Sequence, residues 1–180
     1  MILRVSEILS LDGVMEAPDH WVFQYMDQEI GEDVMAALQE TNAMLFGRKT
    51  YQEMAAAWPS RTGDMADHFN SVPKYVVSST LRDVTWNNSH VITDNVAEEV
   101  AKLKAQPGRT LLVNGSADLV RLLAQHHLID EYYLTIAPLV LGKGKRLFQE
   151  GDQARFQLIA SKAYSMAHIP LRPCVFHSVF

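Results

Sequence analysis

Asn95-Val96-Ala97-Glu98-Glu99-Val100-Ala101-Lys102-Leu103, Pro107-Gly108 and Thr110-Leu111-Leu112-Val113-Asn114-Gly115-Ser116 together decide the fold class. Val96, Val100 and Leu103 recur at helical spacing and form one apolar stripe. Asn95 with Glu98 three residues on has the spacing of a capping box, and Pro107-Gly108 ends the helix. Thr110 to Val113 is short, apolar and bounded by turn residues, as a buried strand is. Gly115-Ser116 then leads into a second helix carrying Leu119, Leu122 and Leu123. Helix, buried strand, glycine turn and helix are the building unit of an α/β sheet.

The same grammar extends upstream. Leu3 to Leu9 alternates apolar and polar residues and stops at Asp12-Gly13, a strand running into a loop. Gln28 to Asn42 places Ile30, Val34, Ala37 and Leu38 on one helical face. Ala43 to Phe46 is an apolar run cut by Gly47, and Thr50 to Ala57 reads as a helix. Pro59 to Pro73, with Gly63 and many small polar residues, reads as a mobile loop. Tyr75 to Val77 and His90 to Thr93 are further strands. Downstream the grammar changes: Tyr132 to Leu141, Arg155 to Ser161 and Arg172 to Phe180 are strands with no helix between them. A largely parallel sheet with an antiparallel C-terminal edge is expected, as one domain over residues 1–180.

Composition narrows the function. The chain has 180 residues, 48% of them hydrophobic, enough for one sizeable core. A net charge of -5 removes any general electrostatic drive toward nucleic acid. Cys174 is the only cysteine, which excludes an intramolecular disulfide and a cysteine-rich zinc site. The seven histidines show no ligand spacing on one helix face, so no metal is expected. Arg4 and Glu7 interrupt the first apolar stretch, which suits neither a secretory signal nor a membrane span. The expected setting is cytoplasmic, away from membranes.

Three strand ends share a chemical character. Phe46-Gly47-Arg48-Lys49-Thr50 joins a close-approach glycine to two cations and a helix start. Val77-Ser78-Ser79-Thr80-Leu81-Arg82 sets three hydroxyls and a guanidinium after a strand. Val113-Asn114-Gly115-Ser116 is again strand, glycine turn and helix N-terminus. Each alone is explained by an ordinary turn or cap. Together they suit one extended, multiply charged ligand, a nucleotide or dinucleotide beyond the carboxyl ends of the strands.

These residues resemble a known family. Ser10-Leu11-Asp12-Gly13, Phe46-Gly47-Arg48-Lys49-Thr50-Tyr51 and Ser78-Ser79 are similar to the dihydrofolate reductase superfamily. The branch containing the reductase domain of riboflavin biosynthesis is nearer still. Gly115-Ser116, Leu128-Ile129-Asp130-Glu131 and the block Ala137-Pro138-Leu139-Val140-Leu141-Gly142-Lys143-Gly144-Lys145-Arg146-Leu147-Phe148 extend the resemblance over nearly the whole chain. It implies a central eight-stranded, mainly parallel sheet with helices on both faces, and NADPH as cofactor. It implies that Gly47, Arg48, Lys49 and Thr50 contact cofactor phosphates, and that Ser78, Ser79 and Thr80 surround the 2'-phosphate. Asn114, Gly115 and Ser116 would lie under the diphosphate, with Ile8 and the loop from Ser10 to Val14 flanking the nicotinamide.

Two departures bear on substrate. Dihydrofolate reductases hold the pterin with an acid on the first helix; here Glu29, Glu32 and Asp33 all compete, and no motif selects one. Riboflavin reductases follow Ser-Leu-Asp-Gly with basic residues, whereas this chain continues Val14-Met15-Glu16-Ala17-Pro18-Asp19-His20-Trp21. Asp12 is the candidate catalytic carboxylate, with a plain turn role as its rival. Trp21 and Trp58 are candidates for a flat wall against a small-molecule substrate, while Phe23 is expected in the core. The expected activity is hydride transfer to a small ring-containing substrate, the alternative a non-catalytic NADPH-binding or sensing module. Val175, Phe176, Val179 and Phe180 end the chain in an aromatic strand, so a homodimer is expected.

Overall fold

The structure, a computed structural model, describes residues 1–164 and 172–179. In chain order the elements are β1 (Ile2–Ser10), α1 (Gln28–Gln39), β2 (Thr41–Gly47), α2 (Arg48–Ala57), α3 (Asp64–Ser71), β3 (Lys74–Val77) and β4 (Ser89–Ile92). They continue with α4 (Val96–Lys104), β5 (Thr110–Val113), α5 (Ala117–Gln125), β6 (Glu131–Ala137), β7 (Arg155–Ser161) and β8 (Arg172–Val179). Eight strands form one sheet in the order β4-β3-β2-β5-β1-β6-β8-β7. The first six run parallel, β8 lies antiparallel to β6, and β7 antiparallel to β8. The mixed sheet and its antiparallel C-terminal edge are as the sequence implied.

Helices cover both faces. On one, Leu3, Val5, Leu9, Leu111 and Val113 pack against Val100 and Leu103 of α4 and Leu119, Val120 and Leu123 of α5. On the other, Met44, Phe46 and Leu112 meet Leu38 of α1, Tyr51 of α2 and Phe69 of α3. Each fully buried side chain of this size contributes about 1.5–3 kcal/mol relative to exposure.

Several expectations need correcting. Asn95 does precede α4, but its backbone is left-handed (φ 49°) and its side chain makes no cap. A capping side chain needs extended backbone, and the acids Glu98 and Glu99 in the first turn serve the helix dipole instead. The segment from Pro59 to Pro73 holds α3 and is not merely a loop: Ala66 and Phe69 are buried on one side of it. Only tertiary packing makes so short a helix stable. The first helix ends at Gln39 rather than Asn42, and Asp27 caps its start by accepting the Ile30 N–H at 2.9 Å. The sixth strand stops at Ala137, before Pro138. Phe23 is 71% exposed, not core. The last strand is not the sheet's margin: β8 lies inside, and β7 is outermost. Phe180 and the side chain of Val179 lie outside the described residues.

Candidate functional site

The strand order creates one crevice. β2 and β5 are neighbours, yet α2 leaves β2 toward one face and α5 leaves β5 toward the other. Such a switch point opens a cleft beyond the strand ends. Here the walls nearly touch. The Gly47 N–H donates to the Gly115 carbonyl at 3.1 Å. A Cβ on Gly47 would stand 2.5 Å from Ser116 Oγ, and one on Gly115 2.9 Å from Thr50 Oγ1. Gly115 also has φ +69°, and its bond to Ser116 is a cis peptide. Gly115 is required by its positive φ, and a side chain at position 47 would force the Ser116 hydroxyl aside.

Both helices meeting here lack a side-chain cap. Gly47 has none to offer, and Ser116, an ordinary capping residue, makes no cap bond. The free N–H groups of two first turns thus face one space, with the positive ends of two helix dipoles. The helix begins at Arg48 rather than Thr50, which puts Arg48 and Lys49 in that first turn. Both are exposed. Among the described residues neither pairs with an acid, and Arg48 reaches only Gln52 at 3.3 Å.

The hydroxyl loop lies beside them, since Gly47 and Val77 are register partners on β2 and β3. Ser78 is buried, and its Oγ accepts the N–H groups of Leu81 at 2.9 Å and Thr80 at 3.2 Å, so it shapes the turn. Ser79 and Thr80 are the exposed hydroxyls. Asn114 bridges strands by donating its amide to the Ser6 carbonyl at 3.0 Å.

Asp12 is the clasp of a second loop. Its carboxylate accepts Ser10 Oγ at 2.7 Å and the N–H groups of Leu141 at 3.1 Å and Gly142 at 2.9 Å. Arg146 donates to its carbonyl at 2.8 Å. The Ser10 bond first, then the Leu141 and Gly142 N–H groups, hold the carboxyl well below the usual carboxylate range. An acid held ionised in this way accepts hydrogen bonds and gives up no proton near neutrality. Glu16 extends the clasp by accepting the Lys145 N–H at 3.1 Å. Val14 is buried, its side chain against Gly144, so it packs rather than facing a ligand. The Ser10–Val14 stretch and the Ala137–Phe148 block are therefore two halves of one structure.

The two faces of β1 and β6 differ. Val5, Leu9, Tyr132 and Leu134 are buried under α4 and α5; Ser6, Ile8, Tyr133 and Thr135 remain half-exposed on the α1 side. At the rim of that half-open face stands Asp33 of α1. Lys162 Nζ and Tyr164 Oη each donate to its carboxylate at 2.6 Å and keep it below the ordinary range. Glu32 only meets Gln28, and Glu29 pairs with Lys162, so Asp33 is the acid nearest this face's aromatic cluster. Trp21 packs in that cluster with Ile30, Ala137 and Tyr164. Trp58 does not join it. It caps the far end of α2, about 15 Å along the helix from Arg48, with its ring 4.4 Å from Phe69. That placement makes Trp58 a packing residue between α2 and α3.

A model of the RibD C-terminal domain matches residues 2–168. The chain belongs to the RibD C-terminal domain family. Protein YyaP of Bacillus subtilis, itself uncharacterized, is 30% identical over 164 residues, covering 87% of this chain and 86% of YyaP. A structure assigned to riboflavin biosynthesis from Shewanella sp. PV-4 superposes with a TM-score of 0.75 at 21% identity, covering both chains fully. Dihydrofolate reductase from Enterococcus faecalis, complexed with NADP(H), gives 0.67 at 13% identity, covering 98% of this chain and 96% of that one. The fold of this family member is thus reductase-like, as its sequence motifs implied.

A cavity of about 780 Å³ opens elsewhere, lined by Arg121, Tyr132, Phe148 and Phe156. Neither Gly47 nor Gly115 lines it, so this volume lies apart from the crevice. One residue of the crevice carries no sequence motif at all. Glu7, half-buried on β1, accepts the Gly115 N–H at 2.5 Å, and burial pushes its carboxyl up to about 8 from an ordinary 4.5. The one signal was an acid inside an apolar strand. Among the described residues no helix is long and apolar enough to cross a membrane, and no group of three or more potential metal ligands occurs.

Proposed function

We propose that the chain is an NADPH-dependent oxidoreductase passing a hydride to a small ring-containing substrate of pterin or pyrimidine type. The observation that carries this reading is the meeting of two uncapped helix N-termini on one glycine-walled crevice. A diphosphate answers that set of N–H donors. Arg48 and Lys49, exposed and without acid partners, with Ser79 and Thr80 alongside, suit a 2'-phosphate. The NADP(H) complex of the Enterococcus enzyme, on the same fold, supports the choice of cofactor.

When bound, the nicotinamide supplies the hydride. The protein's own part is to bind and orient. Gly47, Thr50, Gly115 and Ser116 receive the diphosphate; Ile8 and the Ser10 loop border the ring; Trp21 and the Asp33–Tyr164 pair edge the substrate face. Asp12 acts by holding the Ser10 loop. The stretch from Glu16 to Trp21 offers no cation to a substrate phosphate, so a pyrimidine without its phosphate fits better. A second copy of the chain would cover β7, an exposed outer strand with Leu158 54% and Ile159 50% exposed. Light scattering at micromolar concentration would then report twice 20.3 kDa.

Fluorescence titration with NADPH and NADH, followed by loss of NADPH absorbance with pterins and pyrimidines, tests the reading. Clear preference for NADPH and turnover with one ring class are expected. Equal affinity for both cofactors overturns it.

A further inference from the structure

Glu7 occupies an unusual place. It lies on the α5 side of β1, shares that face with Leu3, Val5 and Leu9, and reaches the glycine turn between β5 and α5. The Gly115 N–H it accepts belongs to the turn whose carbonyl takes the Gly47 N–H, so one acid braces both walls of the crevice. Among the described residues no counter-charge meets it. On β1 and β6, Arg4 pairs with Glu131 at 2.7 Å. On α5, Asp118 pairs with Lys145 and Arg121 with Asp152. On α4, Lys102 pairs with Glu99 and Lys104 with Asp130, and Glu98 is exposed. β5 carries no charged residue, and Glu16 accepts the Lys145 N–H. An unpaired buried carboxyl is far cheaper neutral than ionised.

We propose that Glu7 is a positioning residue for the dinucleotide. As a neutral acid it holds the Gly115 turn in the shape that receives the diphosphate; once ionised, it sets a negative charge behind that turn and drives the ligand off. The proposal rests on the crevice being the dinucleotide site. Its burial-raised titration, near pH 8, puts the switch within reach of ordinary buffers. Only the neutral form binding well means about a tenfold loss of affinity per pH unit above the midpoint.

The test is NADPH affinity from pH 6.5 to 9.5 for the parent protein, Glu7→Gln and Glu7→Leu, with folding checked by thermal melts. Glutamine keeps an acceptor and cannot ionise. Expected are a steep loss above pH 8 in the parent, a flat profile in Glu7→Gln with affinity at pH 7 within about threefold of the parent, and weak binding at every pH in Glu7→Leu. Lys74 also titrates near pH 8, but it is enclosed by the carbonyls of Asn70, Val72 and Asn87 and is present in all three proteins. It cannot separate their profiles. Matching profiles in the parent and Glu7→Gln, with NADPH still bound at pH 7, would overturn the role of Glu7 and leave the cofactor reading intact. No NADPH binding by folded parent or Glu7→Gln at any pH would overturn both.

Discussion

After β2 the chain enters α2 through Gly47 with no side chain bracing the turn, and the next two side chains are exposed cations. After β5 it enters α5 through Gly115 and Ser116, braced by Glu7 from beneath and tied to β1 by Asn114. The two turns use the same backbone device, a glycine followed by an uncapped helix. They differ in where the charge sits. One projects positive charge into solvent; the other hides a titratable acid behind its amides. On the proposed reading, specificity belongs to the first turn and conditional binding to the second.

The largest effect should come from closing the space between them. Gly47→Val would drive a branched side chain into Ser116, whose backbone N also lies only 3.2 Å from an added Cβ. Overpacking typically costs about 1–3 kcal/mol, so NADPH and NADH should both lose roughly ten- to hundredfold in affinity. Gly47→Ala combined with Ser116→Gly should recover most of it, because the first atom struck is Ser116 Oγ. Isothermal titration of both variants decides the matter; unequal losses for the two cofactors would mean that the contact lies elsewhere.

Next in size is the stability cost of the hidden acid. The Glu7 carboxyl is raised from 4.5 to about 8 on folding. Its contribution to stability is therefore full below pH 4.5 and is lost progressively as pH rises to about 8. One unit corresponds to about 1.4 kcal/mol, so over this window the loss reaches a few kcal/mol. Glu7→Gln, which does not titrate, should grow more stable than the parent by that amount between pH 5 and 8, with no further gain above. Denaturant unfolding across pH measures it, and a constant difference would contradict a buried, unpaired acid.

Removing charge from the other turn should cost less. Arg48→Ala should weaken NADPH about tenfold, from one charge-assisted hydrogen bond, and leave NADH nearly unchanged. An unchanged NADPH/NADH ratio would remove Arg48 from the 2'-phosphate. Smallest of all should be Asp12→Asn. Leu141 and Gly142 would lose their charged acceptor, and amide exchange across the Pro138–Lys145 loop should quicken with little effect on cofactor affinity. The Asp12 carboxyl is depressed in the fold, so its stabilisation is present above the ordinary carboxylate range and fades as pH falls through it. The difference from Asp12→Asn should vanish in acid.

Much of this was legible in the chain itself. Strand–helix alternation up to Gln125 and strands afterwards dictated a parallel sheet with an antiparallel edge, because apolar period and turn residues act locally. Gly47, Arg48, Lys49 and Gly115 pointed by residue type to the crevice now proposed as an anion site. α3 went unread because its eight residues are mostly polar and are helical only where Phe69 finds Trp58. Asn95 misled because spacing does not reveal a backbone turned left-handed. Among Glu29, Glu32 and Asp33 the sequence offered no choice; the hydroxyl of Tyr164, far along the chain, donates to Asp33, and that contact is why the proposed reading takes Asp33. Trp21 and Trp58, alike on paper, part because α2 carries one of them to its far end. Glu7 is the sharpest case. Its residue type and strand were plain from the start, but its neutral state depends on burial by distant elements, against the opposing pull of the Gly115 N–H more than a hundred residues on, with no cation paired to it among the described residues. Local sequence determined which elements form and which chemistry is present. The shape of the crevice, and which acids are ionised beside it, were decided by tertiary structure, since burial and pairing are properties of neighbours the chain brings together only on folding.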